Sequence, residues 1–426
     1  MLIERLQRLL PLVFTTYQTM KKLSKKEIFS KILSYRFEGA SSLGAISTMM
    51  KREKLDYSGA STIGRSLSAM GALIPSIESI PMDKSFQITA LLDEIFIGST
   101  PILIMVEPKS TAILNIQLAE DRSAKTWSKH INYLTSNRDI EINNTVSDQG
   151  TGLLTGIKDS LIGVHRQPDT FHALSHRLGD FVRIFRAKAY GSIASEYERE
   201  EVCLSRISQK VFDEKAKLYD EACVKTIEAI ELYENFSYLY KYAIKQLNPF
   251  HSNGEIRDAN WARGEIETAI ELMELLEHTK VNKEVKSIKK ILPDLLDYFE
   301  QTKEAIKVCK ALGVSNDAIK NLSLEWQWNK AVIKAKKSDR KRRAKEKRAI
   351  YAENSKQILG DTYEDIKEKV FNELDNIIQA SSIVENINSI LRPYLDRARN
   401  QVTPEFLNLF AFYHNHETIC SGQTKR

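Results

Sequence analysis

The chain has 426 residues, a length that points to two or three domains. Hydrophobic residues make up 42% and charged residues 28%, enough apolar material for several cores. Its 17 Gly and 10 Pro are too few for collagen, a low-complexity linker or a turn-dense all-β architecture. No apolar run approaches the ~18–20 residues of a membrane helix. The opening MLIERLQRLLPLVF has charges inside its apolar stretch and no small-residue cleavage site, so it is not read as a signal peptide. Cys203, Cys223, Cys309 and Cys420 are far apart and form no CxxC pair, which excludes a disulfide framework and a zinc ribbon. That usage suits a reducing cytoplasm.

The net charge is only +6, but it is unevenly placed. Residues 1–85 hold 13 Lys/Arg against 7 Asp/Glu, and residues 334–348 hold ten basic residues against two acidic ones. A basic N-terminal module and one basic segment on a neutral body suggest a polyanion partner. Two solvated faces are the alternative on charge alone.

In chain order, Ser24 caps a predicted helix through KKEIFSKILSYRF. SSLGAISTMMKREKL and SGASTIGRSLSAMGAL follow, separated by a turn at Asp56–Tyr57, a pair that resembles a helix-turn-helix. Its second helix would present Ser61, Thr62, Arg65 and Ser66 to a DNA groove, although helical hairpins without DNA function share the pattern. Pro75 and Pro81 are expected to open a linker. FQITALLDEIFIG, PILIMVEP and STAILNIQLAE then read as three strands with short connections, an antiparallel meander. The helix DRSAKTWSKHINYLTS, the strand INNTVSDQG, the helix TGLLTGIKDSL and a short strand in DSLIGVHRQPD complete the order β-β-β-α-β-α-β. That order is the ribonuclease-H-like pattern, with a mixed five-stranded sheet expected. Residues 170–380 read as almost entirely helical, with loops at Asn248–Gly254 and Leu312–Ser315, too large a block for a connection inside a small sheet domain. The expected layout is a helical DNA-binding domain over 1–80, a catalytic core over 86–185, an all-helical insertion over 190–380, and the end of the core over 381–420. The chain as a whole is expected to be mostly helical.

Asp93 lies inside an apolar strand, where an unpaired carboxylate is costly and calls for a cation, a donor network or a function. Glu94 points to the opposite face. Asp148 ends another strand. Carboxylates on adjacent strands suit a hard divalent ion such as Mg²⁺, whereas an Asp before a glycine, taken alone, begins a turn and caps the helix at Thr151. Near the C-terminus, SSIVENINSILRPYLDRAR is followed by TPEFLNLFAFYHNHETI. Ser382 and Glu385 alone would make a capping box, and Pro393 should kink or end that helix.

These C-terminal phrases resemble the catalytic helix of DDE-class insertion-sequence transposases. The strands around Asp93 resemble the first-acid region of that family, and TVSDQGTGLLTGIK its second-acid region. The resemblance covers residues 86–180 and 381–418, and the N-terminal helices more loosely. It implies Asp93, Asp148 and Glu385 as the three acids, 55 and 237 residues apart in succession. Glu373 in FNELD is a rival third acid without the matching context. A helical insertion before the final Glu is similar to transposases of the hAT type, at the level of architecture.

The resemblance also implies two Mg²⁺ or Mn²⁺ ions held by the three acids. The expected partners are the element's terminal inverted repeats and target DNA, bound by a homodimer or higher oligomer, with no membrane. The expected location is a prokaryotic cytoplasm, at the nucleoid. Expected DNA contacts are Arg65, Arg340, Lys341, Arg342, Arg343 and Arg392, with Trp326 and Trp328 stacking on bases, against core packing for at least one Trp. His172 and His176, at i and i+4, have zinc-ligand spacing but no third ligand nearby, so a structural role competes. The rival functions are a catalytically silent DNA-binding descendant of a transposase and a nuclease without strand transfer.

Overall fold

A computed structural model describes residues 23–78, 86–137, 140–206, 208–335, 337–398 and 402–420. The expectations for MLIERLQRLLPLVF, for Pro81 and for the Ser382 side chain as a cap lie outside the described residues. Most of the chain is helical, with one mixed five-stranded open sheet. It divides into two compact units, one made of Met1–Asn143, Thr151–Val164 and Ile383–Lys425, the other of Asn144–Gly150 and His165–Ser382. No helix among the described residues is long and apolar enough to cross a membrane.

The sheet contains β1 (Phe86–Ile97), β2 (Thr100–Val106), β3 (Ile113–Leu118), β4 (Ile140–Ser147) and β5 (His165–Pro168), in the order β3-β2-β1-β4-β5. The β1, β2 and β3 strands pair antiparallel through short turns, while β4 and β5 pair parallel. A parallel pair needs a crossover, supplied here by a helix. Gly98, at φ +59°, makes the tight β1–β2 turn possible.

In the first unit, α1 (Lys25–Phe37), α2 (Leu43–Arg52) and α3 (Ala60–Glu78) form a small helical cluster. Ser24 caps α1 as expected, and Glu27 completes a capping box with it. Ile28, Ile32, Ile46, Met50, Ile63 and Leu67 share a core with Leu409 of the final helix, α15 (Pro404–Cys420). Gly71 of α3 lies against α15 so closely that an added Cβ would meet the Glu405 carbonyl oxygen at 2.0 Å. Contrary to the linker reading, α3 continues past Pro75 to Glu78. The helices α4 (Ala124–Asn137) and α5 (Thr151–Ser160) bury Trp127, Ile131, Leu134, Leu153 and Ile157 with Ala90, Leu92, Leu103 and Met105 of the sheet. The helix α14 (Ser382–Ala398) runs through Pro393. The proline is on the exposed side of the helix, where water can satisfy the carbonyl it leaves unpaired.

The second unit is helical apart from its share of the sheet. A π-helical turn, Phe171–His176, leads into α6 (Arg177–Leu204) and α7 (Gln209–Gln246). There follow α8 (Ala259–Glu274), α9 (Thr279–Leu295), α10 (Tyr298–Ala311), α11 (Asn316–Lys334), α12 (Ser338–Leu359) and α13 (Tyr363–Leu374). The two expected loops fall between α7 and α8 and between α10 and α11. One core joins the start of α6 and the second half of α7 to α8–α11 and α13 through Phe181, Phe236, Ile266, Ile288, Phe299, Trp326 and Phe371.

Candidate functional site

The middle strand of the sheet carries Asp93. Leu92 points into the apolar core beneath the sheet, so strand alternation sends Asp93 to the other face. It is buried there, with Oδ1 accepting the Glu94 backbone N–H at 2.8 Å. Oδ2 accepts from Asn388 Nδ2 of α14 at 3.1 Å. Asn388 is itself buried, and its Oδ1 has no hydrogen-bond partner among the described residues. Glu385 lies three residues earlier in the first turn of α14, on the same side of the helix as Asn388. A carboxylate in that position also complements the helix dipole. The partner helix of the Asp93 strand therefore carries Glu385 and Asn388 on one stripe. Glu94, on the opposite face, is paired with Arg122 at 2.8 Å.

Asp148 follows the last residue of β4 in the second unit. Its Oδ1 accepts the Gly150 N–H at 2.9 Å, the Asx turn that its place before a glycine suggested. Its backbone carbonyl accepts from Arg166 Nη2 at 2.7 Å, while Arg166 Nε donates to Ser147 Oγ at 2.9 Å. Burial lowers the Arg166 pKa, and the Asp148 and Asp294 carboxylates oppose that shift. Arg166 is thus a fixed cation beside Asp148.

Asp169, at the end of β5, is almost fully buried. Oδ1 accepts the backbone N–H groups of Phe171 (2.7 Å) and His172 (3.0 Å). Oδ2 accepts the Ser381 N–H at 2.8 Å and the Ser381 hydroxyl. Thr170 adds its own hydroxyl and N–H to the Gln379 carbonyl, at 2.7 and 3.0 Å. This clasp holds the segment immediately before α14.

The donors are hard oxygens, the kind a divalent cation takes. The buried, unpartnered Asn388 Oδ1 beside Asp93 is an available oxygen of that kind. Among the described residues, however, no three His, Cys, Asp or Glu side chains are gathered closely enough to hold a metal ion. His172 and His176 have ring centroids 5.9 Å apart on the π-helical turn, and among the described residues no third ligand is gathered with them. Glu373 is on α13, within the helical unit.

Of the expected DNA contacts, Arg65 is exposed on α3, opposite the buried Ile63 and Leu67. Arg340, Lys341, Arg342 and Arg343 are all exposed along the start of α12, where Arg342 also meets Glu346 at 3.2 Å. Arg392 is exposed on α14 and Trp328 is half-buried. Trp326 takes the core-packing alternative and not the stacking role. It is buried, packs edge-on against Phe250, and donates from Nε1 to Asp375 Oδ1 at 2.8 Å, so it is a core residue rather than a stacking platform.

Asn388, Arg166 and Asp169 were not singled out as site residues from the sequence. Asn388 was open to detection, because it stands one helical turn from Glu385 within the ENINS phrase. Nothing in the short β5 sequence HRQP distinguishes Arg166. Set against known proteins, the chain matches no family model and no curated protein significantly.

Proposed function

We propose that this chain is a DDE-type transposase, a metal-dependent enzyme that cleaves DNA at the ends of a mobile element and transfers the strand. Asp93, Asp148 and Glu385 are its acids. One observation carries the reading: the helix that bears Glu385 supplies Asn388 to Asp93, so the first-acid strand and the third-acid helix are partners. A strand order of β3-β2-β1-β4-β5, with a meander followed by a parallel pair, supports a ribonuclease-H-like reading of the sheet. The exposed basic face of α12 and the exposed Arg65 support DNA as the partner.

Asp93, Asp148 and Glu385 would hold Mg²⁺ or Mn²⁺, with Asn388 Oδ1 as a further oxygen near Asp93. When bound, such ions make water or a 3′-hydroxyl a better nucleophile and stabilise the leaving oxygen. Asn388 orients Asp93 by fixing one carboxylate oxygen, and the Asp169 clasp sets where α14 begins. Arg166 neutralises charge next to Asp148. The four basic residues at the start of α12 bind phosphates, so their contribution should fall steeply with salt.

A second reading, a catalytically silent DNA-binding descendant, is favoured by the absence of a gathered three-acid cluster among the described residues. Mg²⁺- or Mn²⁺-dependent nicking of DNA that carries the element's ends separates the two. The transposase reading expects nicks at the element boundary by the wild type and none by Glu385→Ala. Binding without cleavage under either metal would support the silent reading.

A further inference from the structure

The helix α9 neutralises the charges on its flanks and leaves those on its outer face alone. Val281, Val285, Ile288, Leu292 and Leu295 are its buried side. On one flank Glu284 is paired with Arg177 of α6 at 3.3 Å, and on the other Lys289 is paired with Glu274 of α8 at 2.8 Å. Helical spacing sets the outer face between those flanks. It carries Lys280, Lys283, Lys286 and Lys290, all exposed. None of the four has an ion-pair or hydrogen-bond partner among the described residues.

Stability does not account for such a face. Lys280 and Lys283, and Lys283 and Lys286, are like charges three residues apart, and Lys286 and Lys290 are four apart. Like charges at those spacings repel on a helix surface. Lys280 and Lys283 also lie near the N-terminus of α9, whose first turn holds no acid, so the helix dipole disfavours them. Other exposed lysines of the same unit stand beside carboxylates. Lys303 meets Glu300 at 2.7 Å, Lys307 meets Glu304 at 3.6 Å and Lys369 meets Asp365 at 2.8 Å. A local rule broken without compensation inside the fold points to a function, here an anion supplied from outside the chain.

The chemistry of the face narrows the occupant. From Lys280 to Lys290 it runs ~15 Å, at ~1.5 Å per residue. One DNA strand presents a phosphate every ~3.4 Å of helix axis, so about four phosphates span that length. A membrane-surface helix needs apolar side chains to insert beside its lysines, and α9 exposes no large apolar side chain. Lysine delivers a point charge to phosphate, a contact that positions DNA and carries no sequence information.

We propose that the outer face of α9 is a second DNA-binding surface, which grips the phosphate backbone of duplex DNA without regard to sequence. This rests on the DNA reading above, and assigns a contact separate from Arg65 and from the basic start of α12.

The test is the salt dependence with which the full-length chain binds a random-sequence DNA duplex in metal-free buffer. Lys280→Gln, Lys283→Gln, Lys286→Gln and Lys290→Gln together are expected to lower the slope of log affinity against log salt by about 3 to 4, since each phosphate contact contributes ~0.9. The melting temperature should hold or rise, because the lysines repel one another. A control with Gln at Lys303, Lys307, Lys310 and Lys369 removes the same charge from the same unit, and should keep the wild-type slope. Should the fourfold α9 variant melt early, Lys283→Gln with Lys290→Gln decides, with an expected drop of about 2. A slope unchanged by the α9 substitutions but lowered by charge reversal at Arg340, Lys341, Arg342 and Arg343 would overturn the inference and leave the DNA reading standing. A control that lowers the slope as much as the α9 variant would overturn it as well, by making the effect one of overall charge. A wild type that binds phosphatidylserine vesicles but not the duplex would overturn both.

Discussion

Asn388 and Asp93 are 295 residues apart in the chain, and the Asn388 Nδ2 donates to Asp93 Oδ2 across 3.1 Å. The bond ties α14 of the first unit to the middle strand of the sheet. Asn388→Ala removes the donor from a buried carboxylate and is expected to cost about 2 kcal/mol, read by urea unfolding in metal-free buffer. Asn388→Asp is the sharper probe. Two adjacent carboxylates repel when both are ionised and share a proton when the pH falls. That variant should therefore be less stable at pH 8 than at pH 5, relative to the wild type. Equal deficits at the two pH values would argue against the contact.

Asp169 gives a second expectation. Its carboxylate accepts three backbone N–H groups and one hydroxyl while almost fully buried. Asp169→Ala leaves those donors unsatisfied and should destabilise the helical unit by about 3 kcal/mol. Limited proteolysis is expected to cut first near residues 379–382, where the clasp is lost. Undiminished protection there would show that Asp169 does not hold this segment.

His130 makes the first unit acid-sensitive. It is fully buried, its Nδ1 lies 3.2 Å from both Asn115 Nδ2 and Gln117 Oε1, and its Nε2 has no hydrogen-bond partner among the described residues. Burial pushes its pKa down to about 3. In the unfolded chain it titrates near ~6.5. Between these values the unfolded state binds the proton and the folded state does not, so stability falls as the pH drops from about 6.5 toward 3. The accumulated loss by pH 3 is on the order of 5 kcal/mol. His130→Gln should be less stable at neutral pH but show a flatter acid limb. An unchanged acid limb would assign the sensitivity elsewhere.

The two tryptophans before the basic helix should separate. Trp326→Ala empties a core position and loses the bond to Asp375, at a cost of about 3–5 kcal/mol. Trp328→Ala, at a half-buried position, should cost clearly less. Reversing the charge of Arg340, Lys341, Arg342 and Arg343 should leave the melting temperature nearly unchanged while weakening DNA binding, with a shallower salt dependence. Unaltered DNA affinity would make this helix face merely solvated.

What could be read from the sequence was what depends on local period. The apolar runs of β1 to β3, the β-β-β-α-β-α-β order and the helical character of 170–380 follow from spacing alone. Which elements meet does not. No property internal to SSIVENINS says that Asn388 reaches Asp93, and nothing internal to α3 says that Gly71 lies against Glu405. Which of Trp326 and Trp328 packs and which could stack stayed open in the sequence, because an aromatic beside a basic run looks the same whether its helix face is buried or wet. Pro75 and Pro393 end neither of their helices for a related reason: near a helix end or on an exposed face, the lost hydrogen bond is a cost that packing elsewhere can offset.

Strand transfer is the most direct measure of the central claim. DNA carrying the element's two ends is incubated with Mg²⁺ or Mn²⁺, a supercoiled target and the full-length chain, and joined products are resolved on a gel. Joining by the wild type is expected, with none by Asp93→Ala, Asp148→Ala or Glu385→Ala, all three still binding the ends at near wild-type affinity. Joining at the wild-type rate by any one of those variants would contradict the assignment of the three acids.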